Sequence, residues 1–344
     1  MRPRIVYVHG CGPKPRAALL AEQWDRALFG HDANGVSHLA YWAPLLHPEP
    51  LPDRLPDPLE GRPGAVAEAE AEEGAETPAP PLLEDPARFV ARMSAETEAA
   101  RVRAGAQGGA GSRTEVEGGA GSRTEAGSGK EAAGGLLEGW LRDMAYLAEA
   151  LALAEEPRPG PGEEPLPRAL PLPRPARTAL FRLLVRHVFE DTHAYFFGGA
   201  GPAVRQVVAD ALDAAEAARD AEGGGPLVVV GHSLGSVVAY EVLAERGRPV
   251  DLFVTLGSPL GVTEVQDLLA APPAVPPGTA LWLNASDARD LVALDHTLRP
   301  DYAPRGRVTD LLVANGSASH HGAAEYLANP LVREPVRRVF SRIA

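Results

Sequence analysis

The sequence has a single cysteine, Cys11, in 344 residues. An intramolecular disulfide is therefore excluded, and a chain that needs no covalent staples fits a reducing compartment. No stretch approaches the roughly 20 apolar residues that a membrane-spanning helix needs. Met1-Arg2-Pro3-Arg4 runs directly into Ile5-Val6-Tyr7-Val8-His9-Gly10, an apolar run too short for a secretory signal and without a small-residue cleavage site. Together these absences predict a cytoplasmic protein with no integral membrane segment. Positive charge is also in deficit: 33 Lys and Arg stand against 46 Asp and Glu, for a formal net charge of −13. Repulsion from phosphate argues against nucleic acid and anionic membranes as partners.

What is abundant divides the chain. Hydrophobic residues make up 45% of it, enough for a sizeable core. The 36 glycines and 34 prolines, about a fifth of the residues, are concentrated in one stretch. From 47 to 175 the chain is dominated by Pro, Glu, Ala and Gly. It contains a short direct repeat, Gly108-Gly109-Ala110-Gly111-Ser112-Arg113-Thr114-Glu115, which recurs from Gly118 to Glu125. Two polar copies are too few for a solenoid. With little apolar surface to offset its ordering entropy, 103–133 reads as a flexible linker, and 48–81 and 156–175 read as Pro-rich irregular chain. Residues 85–101 and 136–153 are candidate helices. The second carries Leu137, Leu141, Met144, Leu147 and Leu151 along one side, as an amphipathic lid would.

The flanking segments, 1–46 and 176–344, alternate in pattern. Apolar, β-branched runs at 5–8, 36–42, 227–230, 251–256, 280–283 and 308–313 read as strands. Helical spacing marks 15–29, 177–189, 202–221, 236–246 and a closing segment near 330–342. Alternating strands and helices predict an α/β domain: a doubly wound, mostly parallel sheet, interrupted by a long low-complexity, lid-like insertion at 47–175.

One motif carries chemistry. Leu227-Val228-Val229-Val230 leads into Gly231-His232-Ser233-Leu234-Gly235, and an apolar helical pattern follows. Strand, G-x-S-x-G and helix, in that order, place a serine on a sharp bend above the sheet edge. Gly231 and Gly235 remove Cβ atoms where the chain crowds itself, and the helix N-terminus favours developing negative charge. This run, with an early strand ending in His9-Gly10, resembles the α/β-hydrolase superfamily, in particular bacterial lipase-like serine hydrolases. The resemblance covers the core segments and not the insertion. It implies a Ser–acid–His triad in that chain order and an oxyanion hole near the first His-Gly.

The residues that match are as follows. Ser233 is the candidate nucleophile. His321, in Ser319-His320-His321-Gly322-Ala323-Ala324-Glu325-Tyr326-Leu327, fits the family spacing of His, four residues, Tyr-Leu; His320 is the alternate base. Asp290, in Asp287-Ala288-Arg289-Asp290-Leu291-Val292-Ala293, resembles the aspartate of an Asp-Pro-Val-Ala run, with Leu291 in place of the proline. Asp287 is the alternate acid and Asp295 a remoter one. Backbone N–H groups of Leu234 and Cys11 are the candidate oxyanion donors. A catalytic thiol at Cys11 is disfavoured, since no neighbouring base is evident. His9 reads as a loop-structuring residue and Ser258, in Gly257-Ser258-Pro259, as a turn residue. Asp191, His193, Tyr195, Phe196 and Phe197 form an aromatic-rich cluster that is either core or pocket lining.

Two segments are discounted. Ala126-Gly127-Ser128-Gly129-Lys130-Glu131 lacks the spacing and the preceding strand of a phosphate loop, and adjacent histidines alone make a poor metal site. The expected activity is hydrolysis of a carboxylic ester or thioester, a small-molecule acyl substrate, with no metal or cofactor. Peptidase and acyltransferase chemistry stay open, as does a non-catalytic binding or regulatory role on the same scaffold. No protein partner is indicated.

Overall fold

The structure, a computed structural model, describes residues 2–33, 35–53, 140, 144, 188–315 and 320–341. The linker at 103–133 and the candidate helices at 85–101 and 136–153 lie outside the described residues, apart from Trp140 and Met144, which are helical.

Six strands form one sheet: β1 (Arg4–Val8), β2 (Ser37–Ala40), β3 (Leu227–His232), β4 (Val250–Leu256), β5 (Thr279–Asp287) and β6 (Val308–Val313). Their order is β2-β1-β3-β4-β5-β6, and every pairing is parallel. The apolar runs are long enough to bury both faces, as a parallel sheet requires. Side-chain alternation divides them. Ile5, Tyr7, Val228 and Val230 enter one cluster, and Val6, Val8 and Val229 the other.

Helices cover both faces. Helix α1 (Ala17–Phe29) places Leu20, Trp24 and Leu28, four residues apart, against the first cluster. The same face takes Tyr326 and Leu327 of α5 (Ala323–Ala328) and Val332 and Val336 of α6 (Pro330–Ser341). The opposite face is covered by α2 (Gly201–Ala221), through Val204, Val208 and Leu212, and by α3 (Leu234–Arg246), through Val237, Val238 and Val242. The short α4 (Thr263–Gln266) follows β4. Residues 188–196 are also helical and bring Val188, Phe189 and Tyr195 into that second cluster, with Trp140 and Met144.

The structure corrects several local expectations. β5 runs through Asp287 rather than ending at 283, because Asn284 and Asp287 in its polar second half find hydrogen-bond partners. Asn284 accepts from the Thr255 hydroxyl at 2.9 Å and donates to the His296 carbonyl at 3.1 Å. β2 is confined to Ser37–Ala40, and α4 and α5 were not anticipated. No described helix is long and apolar enough to cross a membrane.

The strand order positions a crevice. β2 lies on one side of β1 and all later strands on the other, so the winding direction reverses between β1 and β3. Ligands of open α/β sheets bind outside the carboxyl ends of the strands at such a point. Pairing of Val8 with Gly231 and of His232 with Leu256 brings three loops to that edge. They begin at His9, Ser233 and Gly257.

Candidate active site

Ser233 follows the last residue of β3 and precedes the first of α3, with φ 54° and ψ −132°. A non-glycine residue there carries roughly 1–3 kcal/mol of backbone strain, sustained only where its surroundings fix it. They do: the Ser233 amide donates to the Leu256 carbonyl at 3.0 Å, and the Ser233 carbonyl accepts from the Ser236 amide at 2.9 Å and the Ser236 hydroxyl at 2.5 Å. The Ser236 oxygen is also hydrogen-bonded to the Ser258 hydroxyl at 2.7 Å, so Ser258 ties the β4 loop to the bend. The flanking glycines are required sterically. A Cβ at Gly231 would lie 2.6 Å from the Ser236 Cα, and one at Gly235 would lie 2.3 Å from the His9 carbonyl oxygen. The Ser233 hydroxyl itself is buried and, among the described residues, has the Cys11 thiol as its neighbour and no N–H or O–H partner. A buried hydroxyl with so weak a partner calls for an explanation.

Asp290 and His321 are 31 residues apart in sequence and adjacent in space. The His321 Nδ1 lies 2.8 Å from Asp290 Oδ2, and the two side chains are 2% and 0% exposed. Asp290 is held on its other side: Oδ1 accepts from the Val292 amide at 2.9 Å and the Ala293 amide at 3.4 Å. An imidazole donating from Nδ1 leaves Nε2 as its proton acceptor. The pair packs against the Ser233 loop. The His232 ring lies 4.6 Å from that of His321, and His232 Nε2 donates to the His321 carbonyl at 2.6 Å. Burial, with the nearby His321 and Lys14 charges, holds the His232 pKa well below the usual histidine value, so it is neutral. Gly257, with φ 51°, forms the floor under the pair. A Cβ there would lie 2.5 Å from Asp290 Oδ2 and 2.8 Å from His321 Nδ1.

The alternates occupy a neighbouring arrangement. His320 Nδ1 is 3.7 Å from Asp287 and 3.2 Å from the Asn315 carbonyl. Asp287 instead accepts the amides of Arg289 at 2.8 Å and Asn315 at 2.5 Å. Burial alone would raise the Asp287 pKa, but the nearby His320 imidazole and the hydrogen bonds from these two amides outweigh it and hold the carboxyl below its usual value. Asp295 accepts from Thr297 in an exposed turn and lies apart from both pairs.

The first loop closes the other wall. A Cβ on Gly10 would lie 2.6 Å from the Ser233 Cβ, so this loop touches the bend. His9 Nε2 accepts the amides of Trp42 and Ala43 at 3.1 and 3.2 Å, the Trp42 indole donates to the His9 carbonyl at 3.0 Å, and the rings stack at 4.5 Å. His9 is thus a loop anchor; burial, with Lys14 nearby, lowers its pKa to about 3. The Gly12 amide donates to Asp191 Oδ2 at 2.7 Å, and Asp191 also faces His47 Nε2 at 2.9 Å. The Cys11 thiol lies against the Leu234 amide and the Ser233 side chain. Its side chain is therefore part of the site wall, where the sequence reading made it incidental. Burial and the Asp191 charge push its pKa up, so it is a protonated thiol rather than a nucleophile.

Sequence reasoning overlooked three contributors. Gly257 was read only as part of a turn. Tyr326, whose hydroxyl reaches Asp290, was used only as a spacing landmark for His321. Asp191 entered only as a member of an aromatic cluster, and nothing in its local pattern links it to a loop 179 residues away.

No family model matches the chain, and no curated protein or solved structure matches it.

Proposed function

We propose that the protein is a serine hydrolase of the α/β-hydrolase type that cleaves a carboxylic ester or thioester through an acyl-enzyme on Ser233. The observation that carries this reading is the buried Asp290–His321 pair, packed through His232 against the loop whose buried serine sits on a strained strand-to-helix bend. Orienting carboxylate, base and nucleophile are the three parts such chemistry needs. Ser233 Oγ attacks the substrate carbonyl carbon while His321 Nε2 takes its proton. Asp290 orients the ring and stabilises the imidazolium. The oxyanion forms beside the Leu234 and Cys11 amides, at the positive end of α3. His321 then passes its proton to the departing alcohol or thiol. Water hydrolyses the acyl-serine by the same steps in reverse order of roles.

The acyl group is apolar in this reading. Cys11, Leu234, Leu260, Val262 and Val292, from four loops at the sheet edge, join one hydrophobic cluster with Trp140, Met144, Phe189 and Tyr195. One observation favours the second reading, a scaffold that binds without turnover: Ser233 is only 1% exposed.

Incubation with a fluorophosphonate probe, beside Ser233→Ala, separates the two. Labelling mapped to Ser233 by mass spectrometry and lost in the variant supports the hydrolase. A well-folded protein that does not label at Ser233 overturns it and leaves the binding scaffold.

A further inference from the structure

Tyr326 sits on α5, five residues after His321, with its side chain wholly buried. Its hydroxyl donates to Asp290 Oδ2 at 2.7 Å, the oxygen that also faces His321 Nδ1. The same hydroxyl accepts the Asp287 amide at 2.8 Å. Asp287 is the last residue of β5, and Asp290 stands in the loop that follows. Tyr326 therefore joins the end of the strand to the carboxylate three residues on. Four groups donate to Asp290: two backbone amides on Oδ1, and Tyr326 and His321 on Oδ2.

We propose that Tyr326 is a positioning residue for the reaction, acting through Asp290. Its hydroxyl fixes the carboxylate in the plane that meets His321 and tempers the basicity of Oδ2. The inference rests on the hydrolase reading of Ser233, Asp290 and His321. The phenol stays protonated, because burial and the adjacent Asp290 and Asp287 charges push its pKa well above the usual tyrosine value. It can only donate to Oδ2. The ionisable groups around this hydroxyl are Asp290, Asp287 and, across Asp290, His321; His320 and Arg289 lie beyond them on Asp287. A purely structural tyrosine would fill the space between α5 and β5. The two-sided hydrogen bonding to the acid loop is what distinguishes Tyr326 from such a residue.

The test is Tyr326→Phe in the full chain, with fluorophosphonate labelling of Ser233 and hydrolysis of a p-nitrophenyl ester followed against pH. Loss of the hydroxyl loosens Asp290, so kcat falls about ten- to a hundredfold while KM is unchanged. The carboxylate also becomes more basic and holds the His321 imidazolium more firmly, so the acid limb of the profile moves to higher pH. In an Asp290→Asn background the same substitution adds less than about threefold, since the group it acts through is gone. The role is overturned if folded Tyr326→Phe keeps wild-type kcat and acid limb, or if its full effect persists beside Asp290→Asn. Should the phenylalanine variant fail to fold, 3-fluorotyrosine at 326 retains ring and hydroxyl and donates more strongly. It moves the acid limb to lower pH, and an unmoved limb is equally fatal. Wild-type protein that never labels defeats both readings; wild-type protein that labels, with an indifferent Tyr326→Phe, defeats this one alone.

Discussion

Two histidine–aspartate pairs lie side by side at the carboxyl edge of the sheet, made from adjacent histidines and from aspartates three residues apart. They differ in almost every physical respect. Asp290 and His321 meet at 2.8 Å with both side chains sealed from solvent. Asp287 and His320 stand 3.7 Å apart, and Asp287 is engaged by the Arg289 and Asn315 amides. His320 has φ 54°, which turns its side chain away from the direction taken by the next residue. In the proposed reading one pair supplies the base; the other holds Asp287 to the loops of Arg289 and Asn315. Residue type and proximity in the chain are shared, so the division of labour comes from backbone geometry.

Breaking the pairs singly should expose this division. His321→Ala is expected to lower ester hydrolysis by about 10⁵–10⁶-fold, as loss of a triad base does. His320→Ala should cost less than about tenfold, measured as kcat/KM on the same ester. A larger loss at 320 than at 321 would reverse the assignment.

The aspartates should part in kind as well as in size. Asp290→Asn is expected to lower kcat about 10⁴-fold with the melting temperature nearly kept. Asp287→Asn should leave kcat within about tenfold and cost stability, about 1–3 kcal/mol in chemical denaturation, because the Asn315 and Arg289 amides lose their charged acceptor.

A third substitution tests the floor of the reacting pair alone. Gly257→Ala places a methyl group where the Asp290–His321 contact lies and at a positive φ, and should reduce kcat about a hundredfold. Gly306→Ala, where nothing lies within 4 Å of the new Cβ, is the control and should behave as wild type.

The smallest effect is on acid stability. The Asp287 carboxyl is held below its usual value in the folded protein. The unfolded chain then binds more protons between the two pKa values, so the contribution is complete above the ordinary carboxylate range. It is lost as pH falls through the lower folded value. Denaturation curves of wild type and Asp287→Asn should therefore converge below about pH 3–4. Curves that stay parallel down to pH 2 would remove the electrostatic part of the clasp.

Parts of this arrangement were legible in the residues. The apolar, β-branched runs marked all six strands, and G-x-S-x-G after Leu227–Val230 marked the bend. Local pattern failed where polarity was resolved by distant partners. Asn284 and Ser286 looked like the end of a strand, because the Thr255 and His296 groups that satisfy Asn284 are remote in sequence. α5 is only six residues long and has no side-chain cap, so it left no periodic signal. Tyr326 served only as a spacing landmark for His321, since nothing nearby shows that its hydroxyl meets Asp290.

The sequence by itself determined the layered α/β character and the order of its elements, because hydrophobic periodicity and glycine placement act over a few residues. It also determined which residue types were at hand for a nucleophile, a base and an acid. Only the tertiary structure decided which histidine meets which aspartate, that Gly257 lies beneath them, and that Asp191 holds the first loop by its Gly12 amide. Those outcomes depend on strand order and on the direction each loop leaves the sheet, which are set by packing across the whole domain.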